Sequence, residues 1–462
     1  MKLFKLLNQL SISELKQFGY FLDAPFFNKR RDVKALFNHW LKEKKRSHLP
    51  EKYWVLIFPE QAFSVSAWNL LTSRLLKLLE AYFVIQELRK DNVQKQFYLA
   101  QAYRKRQQEV LLKRALRVAE HALEKQSFRH TIYLQQKYDL SNLQYDYIDG
   151  LNRNKRTNLQ EVSDNLDTYF LASKLKKACF TLMRESLTKE KYNIALVAEV
   201  IHYIDENPSY LNIPAIAVYY YCYQAILPVN DDSALEQFRA IIFKYQKHFP
   251  ATEIRDIYTF VINLLIRKLN GGAVFLAEEI FKLYVQSLEQ GYLMENGVLL
   301  ESTYGNISSL ATLLKKYAWT KKFIETYRPF LNPEFQEPIY RLSLGKLYYA
   351  KNEYKKSLQQ LILVESKTTH LHLGTRTVQL KIYYETEEFD LLENLLDSLR
   401  VYLKRAKGIA YIRTHYNNLL TFSRQLLKLP IMNKKERRDF RQRIVDAEVF
   451  AEKDWFLAMI NE

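Results

Sequence analysis

Chemistry in a protein chain needs particular side chains at particular spacings, and few candidates stand out here. Nine histidines are scattered along the chain, and His370 and His372 are the one close pair. They sit two residues apart, in a stretch that reads as a turn between helices, with no cysteine or carboxylate beside them, which is half of a metal site. Cys179 and Cys222 are the two cysteines. They form no CxxC and read as small buried hydrophobes. Gly271-Gly272 is the one adjacent glycine pair, and no lysine follows at the spacing of a phosphate-cradling loop. HExxH and GxSxG are both absent. The pairs Glu278-Glu279 and Glu387-Glu388 point to different sides of a helix and read as ordinary surface. The expectation is a non-enzyme with no catalytic residue, no cofactor and no metal.

Basic clusters are the other chemistry on offer. Arg104, Lys105 and Arg106 form one. Lys434, Lys435, Arg437, Arg438 and Arg441 form a second, along one face of a terminal helix. The charge is uneven: residues 1–150 carry a net of +11, residues 151–399 are neutral, and residues 400–462 carry +7. Such ends can hold phosphates or other anions, or they can be plain solvated helix faces. The terminal helix reads more simply as a cap with a polar outer side.

The elements that must carry these side chains are helical. Of 462 residues only 10 are glycine and 11 proline, and between Pro59 and Pro208 there is no proline and only Gly150. Turn-rich β folds need those residues constantly, so more than 65% helix and no sheet is expected. Hydrophobic residues make up 48% and charged residues 26%, enough apolar content for a large core. No stretch offers the roughly 18 uncharged apolar residues of a membrane span, and the N-terminus lacks the apolar run of a secretory leader. A cytoplasmic protein is expected.

Helix signals place the parts. Residues 1–60 read as a small helical module. Ser11 and Glu14 have capping-box spacing, with Ser13 a rival cap, Pro25 is a stop, and an irregular piece lies between Pro50 and Pro59. Residues 61–160 are long amphipathic helices, with Trp68, Leu71, Leu75, Leu78, Tyr82 and Ile85 on one stripe and a stop at Asp149-Gly150. Residues 161–300 read as degenerate helical repeats broken at Pro208, Pro214, Pro228, Pro250 and Gly271-Gly272. The run from Tyr219 to Tyr223 reads as a helix buried on all sides. Residues 404–462 close the chain with two capping helices. The first is striped by Ile412, Tyr416, Leu419, Phe422 and Leu426. The second starts at Asn433 and Glu436 and carries Phe440, Ile444, Ala447 and Trp455.

Residues 301–403 hold the clearest signal. KLYYAKNEYKKSLQQL, Lys346 to Leu361, is echoed 35 residues later by KIYYETEEFDLLENLL, Lys381 to Leu396. Tyr348 faces Tyr383, Tyr354 faces Phe389, and Leu361 faces Leu396. A period in the mid-thirties marks a helical hairpin stacked on copies of itself. Counting back one more period brings Trp319 and Phe323 into the place of Tyr354 and Leu358, with Leu313 in the place of Tyr348. The aromatics are expected in the hairpin cores.

Gly345, Tyr348, Tyr354 and Ser357 follow in order the small–tyrosine–aromatic–small spacing of the tetratricopeptide repeat (TPR), which this region resembles. Leu380 and Leu392 depart from the small positions, Arg341 stands at the usual tryptophan and Thr369 at the usual proline. The resemblance implies an all-α solenoid of antiparallel helical hairpins that binds a peptide or helix of another protein. A protein-interaction scaffold is therefore the first functional expectation. A nucleic-acid or ribosome-associated protein using the basic ends is the second, and a helical enzyme or ligand-binding regulator without a recognisable motif is the third.

Overall fold

The computed structural model describes residues 2–43, 50–151, 157–187, 190–227, 232–270, 273–365, 368–405, 410–447, 450 and 452–461. Gly271-Gly272, Pro228, residues 152–156 and the Ile412 side chain lie outside the described residues. The fold is all-α: 82% is helical, in 23 α-helices among the described residues.

The chain divides into two compact units, one of Met1–Gln126 with Ile132–Tyr169, the other of Ser127–Thr131 with Phe170–Glu462. The first unit contains α1 (Lys2–Gln9), α2 (Ile12–Asp23), α3 (Arg31–Lys42), α4 (Pro50–Ile57), α5 (Val65–Lys90), α6 (Asn92–Lys105), α7 (Glu109–Glu124), most of α8 (Thr131–Leu151) and the start of α9 (Leu159–Leu187). The Ser11–Glu14 capping box forms as read, with Ser11 N donating to Glu14 Oε2 at 2.8 Å and Glu14 N to Ser11 Oγ at 3.2 Å.

Two readings change in this unit. The piece after Pro50 is helical, because proline fits the first turn, where its missing N–H costs nothing, and because Tyr53 and Trp54 are buried. The core of the N-terminal module also extends past residue 60. Trp68, Leu71, Leu75, Leu79 and Tyr82 of α5 are buried in one cluster with Phe4, Phe18, Phe37 and Trp40. Sixty residues bury too little surface on their own, and a long amphipathic helix supplies the missing wall.

The second unit continues with α10 (Val197–Glu206), α11 (Pro214–Ile226), α12 (Asp232–Tyr245), α13 (Ala251–Asn270) and α14 (Ala277–Glu289). In α11 every residue from Ala215 to Tyr219 is buried, as is Cys222, while Tyr220, Tyr221 and Tyr223 are half-buried. A short ribbon follows, β1 (Met294–Glu295) antiparallel to β2 (Val298–Leu299). This corrects the expectation of no sheet. Asn296 and Gly297 adopt φ of 51° and 79°, the left-handed pair that a two-residue hairpin requires and that Asn-Gly supplies.

Next come α15 (Glu301–Leu313), α16 (Tyr317–Tyr327), α17 (Pro333–Ala350), α18 (Tyr354–Ile362), α19 (Thr369–Glu385) and α20 (Phe389–Arg405). They form three hairpins, α15–α16, α17–α18 and α19–α20, and α17 also packs on α15 and α19. Each hairpin turns in the same way. Lys315, Asn352 and Glu387 have φ of 57°, 58° and 59°. The next amide in each turn bonds back across it: Lys316 N to Ala311 O, Glu353 N to Tyr348 O and Glu388 N to Tyr383 O. This is the Schellman helix end. It occurs once more in the first unit, where Gln107 has φ 54° and Gln108 N bonds Tyr103 O between α6 and α7.

These turns reset the register read from the sequence. Ala311, not Leu313, stands where Tyr348 and Tyr383 stand, and Tyr317, not Trp319, matches Tyr354 and Phe389. The turn residues Lys315, Asn352 and Glu387 are 37 and then 35 residues apart, and α16, with 11 residues, is two longer than α18, with 9. The aligned buried positions are then Ser308, Gly345 and Leu380 on the first helices. On the second helices they are Thr320, Ser357 and Leu392, then Ile324, Leu361 and Leu396.

Three helices, not two, end the chain: α21 (Ala410–Leu426), α22 (Lys434–Asp446) and α23 (Lys453–Asn461). Asn433 and Glu436 cap α22 as read. Trp455 belongs to α23, and the buried Phe440, Ile444, Phe450, Phe456 and Ile460 join α19–α21 in one core.

Candidate functional site

Aligned hairpins place chemically different residues at one repeated position. The residue after the small position is Ser309 in α15, Lys346 in α17 and Lys381 in α19. All three line one cavity of about 510 Å³, with Thr312, Leu342, Tyr349, His370, Thr377, His415 and Glu452. Helix spacing explains the rest of the wall, since Ser309 with Thr312 and Lys346 with Tyr349 are three apart on one helix face.

The two lysines are held differently. Lys381 Nζ pairs with Glu452, just ahead of α23, and both side chains are mostly covered, at 16% and 22% exposure. Lys346 Nζ donates to the neutral Ser309 Oγ at 3.2 Å. Burial pushes the Lys346 ammonium below its ordinary range; Lys381 adds to this and Glu452 opposes it. Burial likewise lowers His370 and His415.

Beside the cavity, Glu385 gathers three donors. Tyr349 Oη reaches its Oε1 at 2.6 Å, Tyr354 Oη its Oε2 at 2.6 Å, and Trp455 Nε1 its Oε1 at 2.5 Å. Charged acceptors make the stronger hydrogen bonds, so this carboxylate ties α17, α18 and α23 to α19. Sequence reading missed both Glu385 and Glu452, because their partners are brought together only by the fold.

The repeat residues read from the sequence divide into three groups. Phe323, Gly345, Leu361 and Leu396 are buried. Trp319, Tyr348, Tyr354 and Tyr383 are half-buried. Trp319 stacks on Phe323 with ring centres 5.3 Å apart. Phe389 corrects the expectation of a core aromatic: it is 44% exposed. It is the first residue of its helix, where its ring meets Tyr384 edge-on at 6.1 Å, while Leu392 and Leu396 of the same helix are buried. At Arg341, where the family pattern has tryptophan, the guanidinium bridges the hairpin by donating to Gln360 Oε1 at 2.7 Å.

The basic clusters are less uniform than their sequence suggests. Arg104 pairs with Asp146 Oδ2 at 3.0 Å, and Arg106 donates to Ala102 O at 3.0 Å. Both remain exposed, as does Lys105. On α22, Lys434, Lys435, Arg438 and Arg441 are exposed. Arg437 is half-buried, and its Nη2 donates to Leu429 O at 3.1 Å, which removes it from the free face.

His370 and His372 lie in the first turn of α19, not between helices, and they part company. His370 lines the cavity, while the His372 ring lies tilted against Tyr402 with ring centres 4.3 Å apart. Among the described residues no three histidines, cysteines or carboxylates are grouped to hold a metal, and no helix is long and apolar enough to cross a membrane. The chain matches no protein-family model, no curated protein and no solved structure.

Proposed function

We propose that this protein is a non-catalytic interaction scaffold, a TPR-like stack of helical hairpins whose groove takes an extended segment of another protein. The observation that supports this most is the alignment of Ser309, Lys346 and Lys381. Three successive hairpins contribute the same position to one wall, the arrangement by which repeat proteins build long binding surfaces from short units. A photo-crosslinking residue in place of Leu313, which lines the groove and is 56% exposed, tests it against the same residue in place of Lys435 on α22. The reading expects a discrete protein crosslinked from position 313, insensitive to nuclease, and none from position 435. Crosslinks from 435 alone, lost on nuclease treatment, would replace it with the second reading, nucleic-acid binding by the exposed Lys434, Lys435, Arg438 and Arg441.

A further inference from the structure

Lys346 is a half-buried ammonium whose hydrogen-bond partner is neutral, and no ion pair joins it among the described residues. Taking such a charge out of water is costly unless a counter-charge arrives. One turn of the repeat away, Lys381 shows what that counter-charge is. The equivalent ammonium is met by Glu452, a carboxylate presented by a neighbouring segment of the same chain. Beside Lys346, Ser309 Oγ accepts from the ammonium and keeps its own proton for an oxygen of an arriving carboxylate, whereas the Thr312 and Tyr349 hydroxyls already donate to Ser308 O and Glu385.

We propose that Lys346 is the anchor of an anion subsite for a glutamate or aspartate side chain of a bound peptide segment, and that Glu452 is an internal occupant of the adjoining position. This rests on the scaffold reading and names the chemistry of its partner. The lowering of the Lys346 pKa by burial agrees with it, since an arriving carboxylate restores the charged form. Glu452 lies close enough to be felt by Lys346, so it competes with the incoming acid for the same positive field.

The test is fluorescence anisotropy of the full chain with fluorescein-labelled hexaglutamate and hexaglutamine, in about 150 mM salt to screen the general positive charge. Hexaglutamate should bind and hexaglutamine should not. Lys346→Met should weaken binding by roughly tenfold or more, the loss expected for one charge-assisted contact. Lys346→Arg should keep most of it, and Glu452→Gln should strengthen it. A Lys435→Met, Arg438→Met variant should change nothing. Circular dichroism and melting of each variant separate binding from folding. Binding unaffected by Lys346→Met, or lost equally in the α22 variant, would overturn the inference. Free glutarate should compete only at far higher concentration, because it makes one contact where a peptide makes several; competition at equal concentration would overturn the peptide assignment. The two readings fail separately. A crosslink from position 313 that survives Lys346→Met removes the anion subsite alone. Hexaglutamate binding through Lys346 without any crosslink removes the scaffold alone.

Discussion

Gly345 lies against Leu361 so closely that a methyl group on it would stand 2.5 Å from Leu361 Cδ2 and 2.8 Å from Cγ. Ser357 Oγ donates to the Gly345 carbonyl at 2.7 Å across the same contact. Glycine here lets α17 and α18 pack backbone to side chain, and Leu361 is buried to 2% exposure, so displacing it disturbs the core around it.

Gly345→Ala should therefore destabilise the fold by up to about 2 kcal/mol, because an overpacking cost of about 1–3 kcal/mol is offset by a helix-propensity gain of about 1 kcal/mol. Gly374→Ala is the control. Its nearest neighbour, Leu342 Cδ2, is at an ordinary 3.5 Å, so that change should stabilise by up to about 1 kcal/mol. Urea titration of both variants checks the pair. Equal effects of the two changes would contradict the close-contact argument.

Removing the carboxylate that gathers Tyr349, Tyr354 and Trp455 should loosen the C-terminal helix first. Glu385→Ala leaves three donors without their acceptor, at about 1–3 kcal/mol each when fully buried. The groups are half-buried and water reaches them, so a total of about 2–4 kcal/mol is expected. Hydrogen exchange should rise most in α23. Unchanged protection there would mean that Glu385 does not hold the segment.

For the basic ends, the informative substitution is Lys435, Arg438 and Arg441 to glutamate, with Arg437 kept because it caps the turn at Leu429. A scaffold should keep its partner after this reversal. A nucleic-acid binder should lose affinity near physiological salt, and its log–log salt slope should drop by roughly 0.7–0.9 per lost phosphate contact. Weak, non-specific binding before and after is the expected result.

Stability should fall on mild acidification. Burial pushes His130 and His415 below their ordinary range, with Glu253 and Glu452 opposing and Lys176 and Lys381 reinforcing. A depressed imidazole is neutral in the fold, while the unfolded chain takes up its proton near the ordinary pKa of about 6.5. The stabilisation is present above that value and is lost as pH falls toward the folded-state pKa. Melting temperature should drop between about pH 7.5 and 5.5, and His130→Gln should reduce the drop.

Helix positions and caps were readable because they depend on neighbours a few residues away. The Ser11–Glu14 and Asn433–Glu436 boxes and the Lys346–Leu361 echo are of this kind. The step back to Trp319 fails because α16 is two residues longer than α18, which breaks a fixed count and is revealed only by the turn geometry. Asn296-Gly297 was legible as a hairpin and was masked by the helical context. The cavity was out of reach, since Glu452 meets Lys381 across 71 residues and a carboxylate in that position carries no local mark. The engagement of Arg104 with Asp146, 42 residues away, is hidden for the same reason.

The hairpin turns, finally, are held by main-chain atoms. Lys315, Asn352 and Glu387 share one left-handed conformation although their side chains have nothing in common. A segment cut inside one turn and rejoined inside the next would meet the same backbone geometry at both junctions. Duplication of such a segment lengthens the array without inventing a new bend. Recombination, more than point substitution, is thus the ready route by which a chain of this kind could gain or shed surface.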